Sequence, residues 1–193
     1  MSKKRVAILI SGRGSNMSAL IDACKSADYP AEIVGVGSNR AAAPGLKIAS
    51  SHGLKTFSLA QSQFESREAF DLALTQKLEE WHVDIVCLAG FMRMLTPEFT
   101  LHWAGRLINI HPSLLPLYRG LDTHARALAD GASVHGCTVH FVTPGLDEGP
   151  TILQAQVPVL PGDTPETLAA RILVEEHRIY PEALRLLASG ALS

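Results

Sequence analysis

Short runs rich in β-branched residues alternate with amphipathic stretches through the first half of the chain, and this alternation constrains the fold most. The predicted strands are Arg5–Ile10, Glu32–Ser38, Thr56–Leu59, Asp84–Ala89 and Leu107–Ile110, and the predicted helices between them are Asn16–Ala27, Pro44–His52 and Arg67–Trp81. The DIVCLA run at 84–89 is almost entirely apolar, as expected for a parallel strand buried on both faces. Such alternation favours βαβ units with right-handed crossovers, so the sequence predicts an α/β fold with a doubly wound sheet.

The pattern changes after Pro116. Thr123–Asp130 is predicted to be a short helix, and Val134–Val142 and Ile152–Val159 to be an antiparallel strand pair joined by the loop Thr143–Thr151. A final helix is expected to start near Pro165, behind a cap at Asp163 or Thr164, and to kink or end after Tyr180 because Pro181 follows. The predicted sheet is therefore mostly parallel with an antiparallel C-terminal strand pair, followed by a final helix. With 193 residues, a single domain spanning 1–193 is expected.

Composition excludes several classes of protein. The net charge is −2 without a run of like charges, which argues against a duplex nucleic-acid binder. No apolar stretch approaches the ~20 residues of a membrane span, and the N-terminal run is too short for a signal peptide. Cys24, Cys87 and Cys137 lie too far apart for a disulfide framework or a zinc site. The sequence thus predicts a cytoplasmic protein that binds neither membrane nor nucleic acid.

The segment SGRGSN at 11–16 links the first strand to the first helix. Two glycines allow a tight turn and close approach of a ligand, and Ser15 or Asn16 is placed to cap the helix. The N–H groups at a helix start, together with the helix dipole, attract anions. The segment is too short for a Walker loop and lacks the third glycine of a dinucleotide fingerprint. It predicts a site for a single phosphate, and the alternative is an ordinary glycine-rich turn.

Asn109 and His111 end an apolar strand, and strand alternation puts them on one face. An amide donor beside an imidazole suits an oxygen on which negative charge develops, with the imidazole also moving a proton. The alternative is that Asn109 satisfies turn backbone groups and His111 is merely buried. Asp147, in the loop between the last two strands, would stabilise a charged His111 if the two meet. The alternative for Asp147 is a solvated loop acid.

Two further histidines lie on the strand before that loop. His135 and His140 differ by five positions, so alternation sends them to opposite faces. His140 is expected beside the site, and His135 is expected to be exposed.

Six segments together give the chain its likeness to a known family. They are SGRGSN at 11–16, SREAFD at 66–71, LAGFMRMLTP at 88–97, INIHPSLLP at 108–116, HGCTVHFVTPGLDEGP at 135–150 and EEHRIYP at 175–181. In order and spacing, over nearly its whole length, the chain resembles the phosphoribosylglycinamide formyltransferases (glycinamide ribonucleotide transformylases), folate-dependent formyltransferases of purine synthesis. NIHPSLLP marks the wider superfamily, and its combination with SGxGSN is specific to this branch.

The resemblance implies a formyltransferase fold with a phosphate-binding half at 1–100 and a catalytic, folate-binding half at 101–193. It implies transfer of the formyl group of 10-formyltetrahydrofolate to the amine of glycinamide ribonucleotide, by direct attack through an oxyanion intermediate and without a metal. The implied catalytic residues are Asn109, His111 and Asp147. The implied acceptor ligands are Gly14, Ser15, Asn16 and Glu176. The implied folate ligands are Arg67, Met92, Arg93, Met94, Leu95, Asn109 and Thr143.

Two positions depart from the family pattern. Leu173 stands where relatives tend to offer a polar or basic side chain to the phosphate, and Arg13 is the residue that could compensate. Arg119 stands where relatives often have proline or lysine nearby, and the PLYRG sequence at 116–120 is similar to methionyl-tRNA formyltransferases.

Three rival functions remain open. A methionyl-tRNA formyltransferase normally adds a C-terminal tRNA-binding domain, and a formyltetrahydrofolate hydrolase normally carries an N-terminal regulatory domain. Neither is expected in a chain that ends at Ser193 without a basic extension. A nucleotide-binding module without catalysis would need the phosphate turn alone. The expected partners are the two small-molecule substrates, in a monomer or a homodimer.

Overall fold

The computed structural model describes residues 2–192 and places seven strands in one sheet. The strands are β1 (Lys4–Ile10), β2 (Ala31–Ser38), β3 (Lys55–Ser58), β4 (Ile85–Leu88), β5 (Leu107–His111), β6 (Val134–Phe141) and β7 (Thr151–Pro158). Their order across the sheet is β3-β2-β1-β4-β5-β6-β7. The first five strands pair in parallel, whereas β6 runs antiparallel to β5 and β7 antiparallel to β6. The predicted fold class is confirmed.

In the described part of the chain, six α-helices cover the sheet. They are α1 (Ser15–Cys24), α2 (Pro44–Ser51), α3 (Arg67–Glu80), α4 (Pro97–His102), α5 (Thr123–Ala129) and α6 (Pro165–Ala188). The sequence did not predict α4, whose start is capped by the Thr96 side chain accepting from the Phe99 N–H. Thr164 rather than Asp163 caps α6, through a hydrogen bond from the Thr167 N–H.

Alternation along β1 divides the core between the two faces of the sheet. Val6, Ile8 and Ile10 belong to the larger cluster, which includes side chains of α1 and α6. Ala7 and Leu9 point the other way, into a cluster with side chains of α3 and α4. Both faces of this strand are therefore buried, as expected in a doubly wound sheet.

The predicted break at Pro181 is wrong, because α6 continues to Ala188. A proline inside a helix removes one backbone hydrogen bond and costs about 3 kcal/mol. Here Tyr180 and Leu184 are fully buried on either side of it, and the Tyr29 hydroxyl donates to the Pro181 carbonyl at 2.6 Å. Burial of large apolar side chains contributes roughly 1.5–3 kcal/mol each, which is enough to offset the proline.

The order of the strands creates a switch point between β1 and β4. The chain goes from β1 outward through β2 and β3, then returns to the other side of β1 as β4. Open α/β sheets bind ligands at the carboxyl ends of strands around such a point. The segments after β1, β4 and β5 meet at this edge. None of the helices within residues 2–192 has both the length and the apolar character needed to cross a membrane.

Candidate active site

A cavity of about 430 Å³ opens at the carboxyl ends of β4 and β5. Its sides are residues 91–95, which follow β4, and residues 143–147, which follow β6. The predicted folate ligands that line it are Met92, Arg93, Met94, Leu95, Asn109 and Thr143. Most of its lining is apolar, and its volume falls in the range of ~300–1,000 Å³ typical of small-molecule sites.

Asn109 on β5 and His140 on β6 are directly paired across the two strands and both line the cavity. The His140 Nδ1 lies 2.9 Å from the Phe141 carbonyl, which can only accept, so Nδ1 carries the proton. Its Nε2 then accepts from the Asn109 amide nitrogen at 3.4 Å. Burial lowers the pKa of His140, which keeps the ring neutral at neutral pH. One Asn109 N–H is thus held by His140, and the second is available to a ligand in the cavity.

The structure brings His111 and Asp147 together. The His111 Nε2 donates to the Tyr118 carbonyl at 2.9 Å, and its Nδ1 lies 3.5 Å from Asp147 Oδ2. Both side chains are about nine-tenths buried. The second oxygen of Asp147 lies 3.8 Å from the His140 Nε2, so the carboxylate sits between the two imidazoles. The Gly120 N–H also donates to Asp147 Oδ2 at 2.9 Å.

The backbone helps to aim this carboxylate. Asp147 has a left-handed φ of 50°, a conformation that short polar residues tolerate better than other non-glycine residues. An amide donor and an imidazole backed by a buried carboxylate can together stabilise an oxygen that gains negative charge, and the imidazole can exchange a proton.

The expected exposure of His135 is wrong. Its exposed fraction is 1%, because the start of α5 and the loop before it cover this part of β6. The ring meets the Tyr118 ring edge-on at 5.7 Å and the His124 ring at 5.3 Å. Burial lowers the pKa of His135 to about 4, so this ring is neutral at neutral pH.

The phosphate turn lies beside this cavity but does not line it. Gly14, with a left-handed φ of 71°, is the residue before α1, so Ser15 and Asn16 are its first helical residues rather than its caps. The Met92 N–H donates to the Ser11 hydroxyl at 2.7 Å, which joins the turn to the cavity wall. Within residues 2–192 the buried Asn16 Oδ1 has no hydrogen-bond partner.

The first turn of α2 packs tightly on the phosphate turn. The Gly45 N–H donates to the Gly12 carbonyl at 3.0 Å. A Cβ at position 45 would lie 2.4 Å from Ile10 Cδ1 and 2.8 Å from the Arg13 carbonyl. Only glycine at this position leaves the turn where it is.

Glu176 reaches the same region from α6. Its exposed fraction is 8%, and burial raises its pKa to about 7, partly opposed by a hydrogen bond from the Asn16 side chain. Leu173, which was expected to depart from the family pattern, is half-buried on α6, and Arg13, the residue that could compensate for it, is exposed on the turn.

Two predicted folate ligands present their charge away from the cavity. The Arg67 guanidinium donates to the Met94 carbonyl at 2.8 Å, so it supports the wall without lining it. The Arg93 guanidinium lies over the Phe70 ring at 3.8 Å and 3.6 Å from Asp71 Oδ1.

Sequence reasoning missed the two main-chain groups that hold His111 and Asp147 in place. They are the carbonyl of Tyr118 and the N–H of Gly120, in a loop of non-regular backbone. The only signal for them in the sequence was the glycine itself, since side-chain patterns do not report which main-chain groups turn inward. Within residues 2–192 no cluster of three or more histidine, cysteine or acidic side chains forms a metal site.

Comparisons with known proteins identify relatives of this chain. The family model described as "Formyl transferase" matches residues 4–184. The phosphoribosylglycinamide formyltransferase of Escherichia coli is 50% identical over 187 residues, which is 97% of this chain and 88% of that protein. The trifunctional purine biosynthetic protein adenosine-3 of Bos taurus is 50% identical over 98% of this chain, which corresponds to 19% of that protein.

A solved structure has the same fold. The phosphoribosylglycinamide formyltransferase from Brucella melitensis superposes with a TM-score of 0.93 at 52% identity, covering 97% of this chain and 96% of that one. On these grounds the chain belongs to the formyl transferase family and, within it, to the phosphoribosylglycinamide formyltransferases.

Proposed function

We propose that this chain transfers the formyl group of 10-formyltetrahydrofolate to the amine of glycinamide ribonucleotide, a step of purine synthesis. The observation that carries the proposal is a cluster linked by contacts of 3.4–3.8 Å: Asn109, His140 and the buried carboxylate of Asp147 line the cavity, and His111 lies behind that carboxylate. The names of the related proteins point to the same reaction.

The cavity suits a folate. Apolar side chains such as Phe91, Leu95 and Val142 line it, and they can pack against the flat ring faces of a pterin and its aminobenzoyl group. Met92, Met94 and Thr143 would contact this body, with Arg67 and Arg93 supporting the wall that holds it. When bound, the folate supplies an activated formyl carbon.

The acceptor would lie between the phosphate turn and the cluster. Main-chain N–H groups at Gly14, Ser15 and Asn16 open α1, and a helix start of this kind favours a phosphate. Glu176 lies near Asn16 and would bind the acceptor close to its amine. In this arrangement residues 1–100 hold the phosphate, and residues 101–193 supply the catalytic groups and most of the folate cavity.

Asn109 and His111 would stabilise the negative charge that develops on the formyl oxygen. Loss of one such donor typically costs about 3–4 kcal/mol of barrier. Because the His111 Nε2 is committed to the Tyr118 carbonyl, Nδ1 is the nitrogen that would exchange the proton, with Asp147 stabilising the charged ring. We expect no cysteine to take part, since burial raises the pKa of all three thiols.

We further propose that the reaction runs in the cytoplasm, because all three cysteines are unpaired, and that small molecules are the only substrates.

A single assay separates this proposal from its rivals. The purified protein is mixed with 10-formyltetrahydrofolate, and deformylation is followed by the change in folate absorbance, with and without glycinamide ribonucleotide. Deformylation that requires the ribonucleotide supports the proposal. Deformylation without any acceptor indicates a hydrolase, deformylation only with methionyl-tRNA indicates the tRNA enzyme, and no reaction indicates a binding module.

A further inference from the structure

One short loop touches both members of the His111–Asp147 pair. The Tyr118 carbonyl accepts from the His111 Nε2 at 2.9 Å, and the Gly120 N–H donates to Asp147 Oδ2 at 2.9 Å. That carboxylate oxygen is the one facing the His111 Nδ1. The separation and orientation of the pair therefore depend on the backbone of residues 117–121.

This backbone is not in a relaxed conformation. Tyr118, Gly120 and Asp122 have φ values of 52°, 81° and 55°, so two residues that carry a Cβ adopt left-handed geometry. Such a conformation is strained for a residue with a Cβ and persists only when its surroundings hold it. The loop needs contacts from outside to keep its carbonyl and N–H in place.

Arg126 on α5 provides those contacts. Its Nη1 donates to the Arg119 carbonyl at 2.6 Å and to the Leu121 carbonyl at 3.2 Å, which are the carbonyls on either side of Gly120. The guanidinium also lies 5.5 Å from the centre of the Tyr118 ring, within the range of a cation–π contact. One side chain thus contacts two peptide units of the loop, one of which carries the Gly120 N–H, and the Tyr118 ring beside them.

We propose that Arg126 is a positioning residue for formyl transfer, acting through the main chain of residues 117–121 on His111 and Asp147. Only the expected effect on kcat rests on the proposed function; the expected effect on the His111 ring does not. The Tyr118 carbonyl forces the hydrogen of neutral His111 onto Nε2 and leaves the Nδ1 lone pair toward Asp147, ready to take up a proton. Without Arg126 the carbonyl moves and this tautomer is no longer imposed.

Arg126 is exposed, so Arg126→Ala removes no core packing and the variant is expected to fold. Misplacement of catalytic groups by about 1 Å can cost ~100-fold in rate, and we expect kcat to fall at least about 10-fold with both KM values changed less than about 3-fold. The ring nitrogens of His111 are observed by ¹H–¹⁵N NMR, assigned with a His111→Asn variant. Wild type should show protonated Nε2 in the neutral ring, and Arg126→Ala a mixture of tautomers.

Two further variants sharpen the test. Arg126→Lys keeps the charge and one donor nitrogen, and should recover part of the loss of kcat and part of the tautomer preference. Arg185→Ala is the matched control, because Arg185 also lies over a tyrosine ring, Tyr29 at 4.8 Å, but contacts nothing in the site. It should leave kcat and the NMR signals unchanged.

An unchanged kcat, or a lower kcat with the tautomer of His111 unchanged, would overturn the role of Arg126. If Arg126→Ala changes the tautomer of His111 but the wild-type protein transfers no formyl group, the positioning role of Arg126 stands and the proposed function is refuted. The positioning role of Arg126 and the proposed function can therefore be refuted independently.

Discussion

Replacement of Glu176 by glutamine should make the protein more stable at neutral and alkaline pH. Glu176 carries a carboxyl with an exposed fraction of 8%, and burial raises its pKa from 4.5 to about 7. A carboxylate there is useful for binding an amine or a hydroxyl, but its ionisation in the free protein works against folding. Glutamine keeps the size and the hydrogen-bonding capacity while removing that charge.

The sign and the size follow from proton linkage. Between pH 4.5 and about 7 the folded protein holds the Glu176 proton and the unfolded chain has released it, so this group lowers stability as pH rises through that window. At about 1.4 kcal/mol per pKa unit, the full effect is on the order of 3 kcal/mol above pH 8 and vanishes below pH 4.5. For a chain of this size that corresponds to a rise in Tm of roughly 6–12 °C at pH 8.

The assay is urea unfolding of wild type and Glu176→Gln at half-unit steps from pH 5 to pH 8.5. The free energy of unfolding of the variant minus that of wild type should grow with pH and level off near pH 8. Glu175→Gln is the control, because Glu175 is on the same helix but pairs with Arg178 near the surface, and its difference should stay within about 1 kcal/mol throughout. A difference between Glu176→Gln and wild type that is flat with pH would show that Glu176 does not titrate in this range.

Two other substitutions test the two ends of the site. Asp147→Asn removes the charge that lies 3.5 Å from the His111 Nδ1, so kcat/KM should fall at least about 10-fold and the pH profile of kcat/KM should shift. An unshifted profile would show that Asp147 does not have this role. Gly45→Ala places a methyl group 2.8 Å from the Arg13 carbonyl, so KM for the ribonucleotide should rise about 10-fold with little change in KM for the folate. Equal KM values in variant and wild type would show that the phosphate turn tolerates the added methyl group.

The parallel half of the fold could be predicted because its strands are β-branched runs with clear boundaries, and β1 to β5 begin and end within one or two residues of the predicted positions. The convergence at the cavity could be anticipated for a related reason. Residues after parallel strands meet at one edge of the sheet, so Asn109 and the wall at 91–95 had to be neighbours.

Tertiary packing decided what local patterns could not. Pro181 predicts a helix end, but the burial of Tyr180 and Leu184 stabilises the part of α6 that follows it. His135 was expected to be exposed, yet Tyr118 and His124 of α5 cover it. Neither fact is visible in a window of a few residues, because both depend on elements distant in sequence.

The hydrogen bonds that hold the site residues in place were the hardest feature to predict from the sequence. The Tyr118 carbonyl and the Gly120 N–H act through the main chain, and their direction depends on left-handed φ values that the sequence signals only weakly. Arg126 reaches the site through carbonyls of neighbouring residues, so neither its residue type nor its spacing suggests a part in the chemistry.

The most direct measurement is the rate of formyl transfer by His111→Ala at saturating folate and ribonucleotide, on protein whose circular dichroism and urea midpoint match wild type. If His111, with Asn109 and Asp147, stabilises the charge on the formyl oxygen, turnover should fall at least about a hundredfold. Turnover close to that of wild type in the folded variant would show that the reaction does not depend on this cluster.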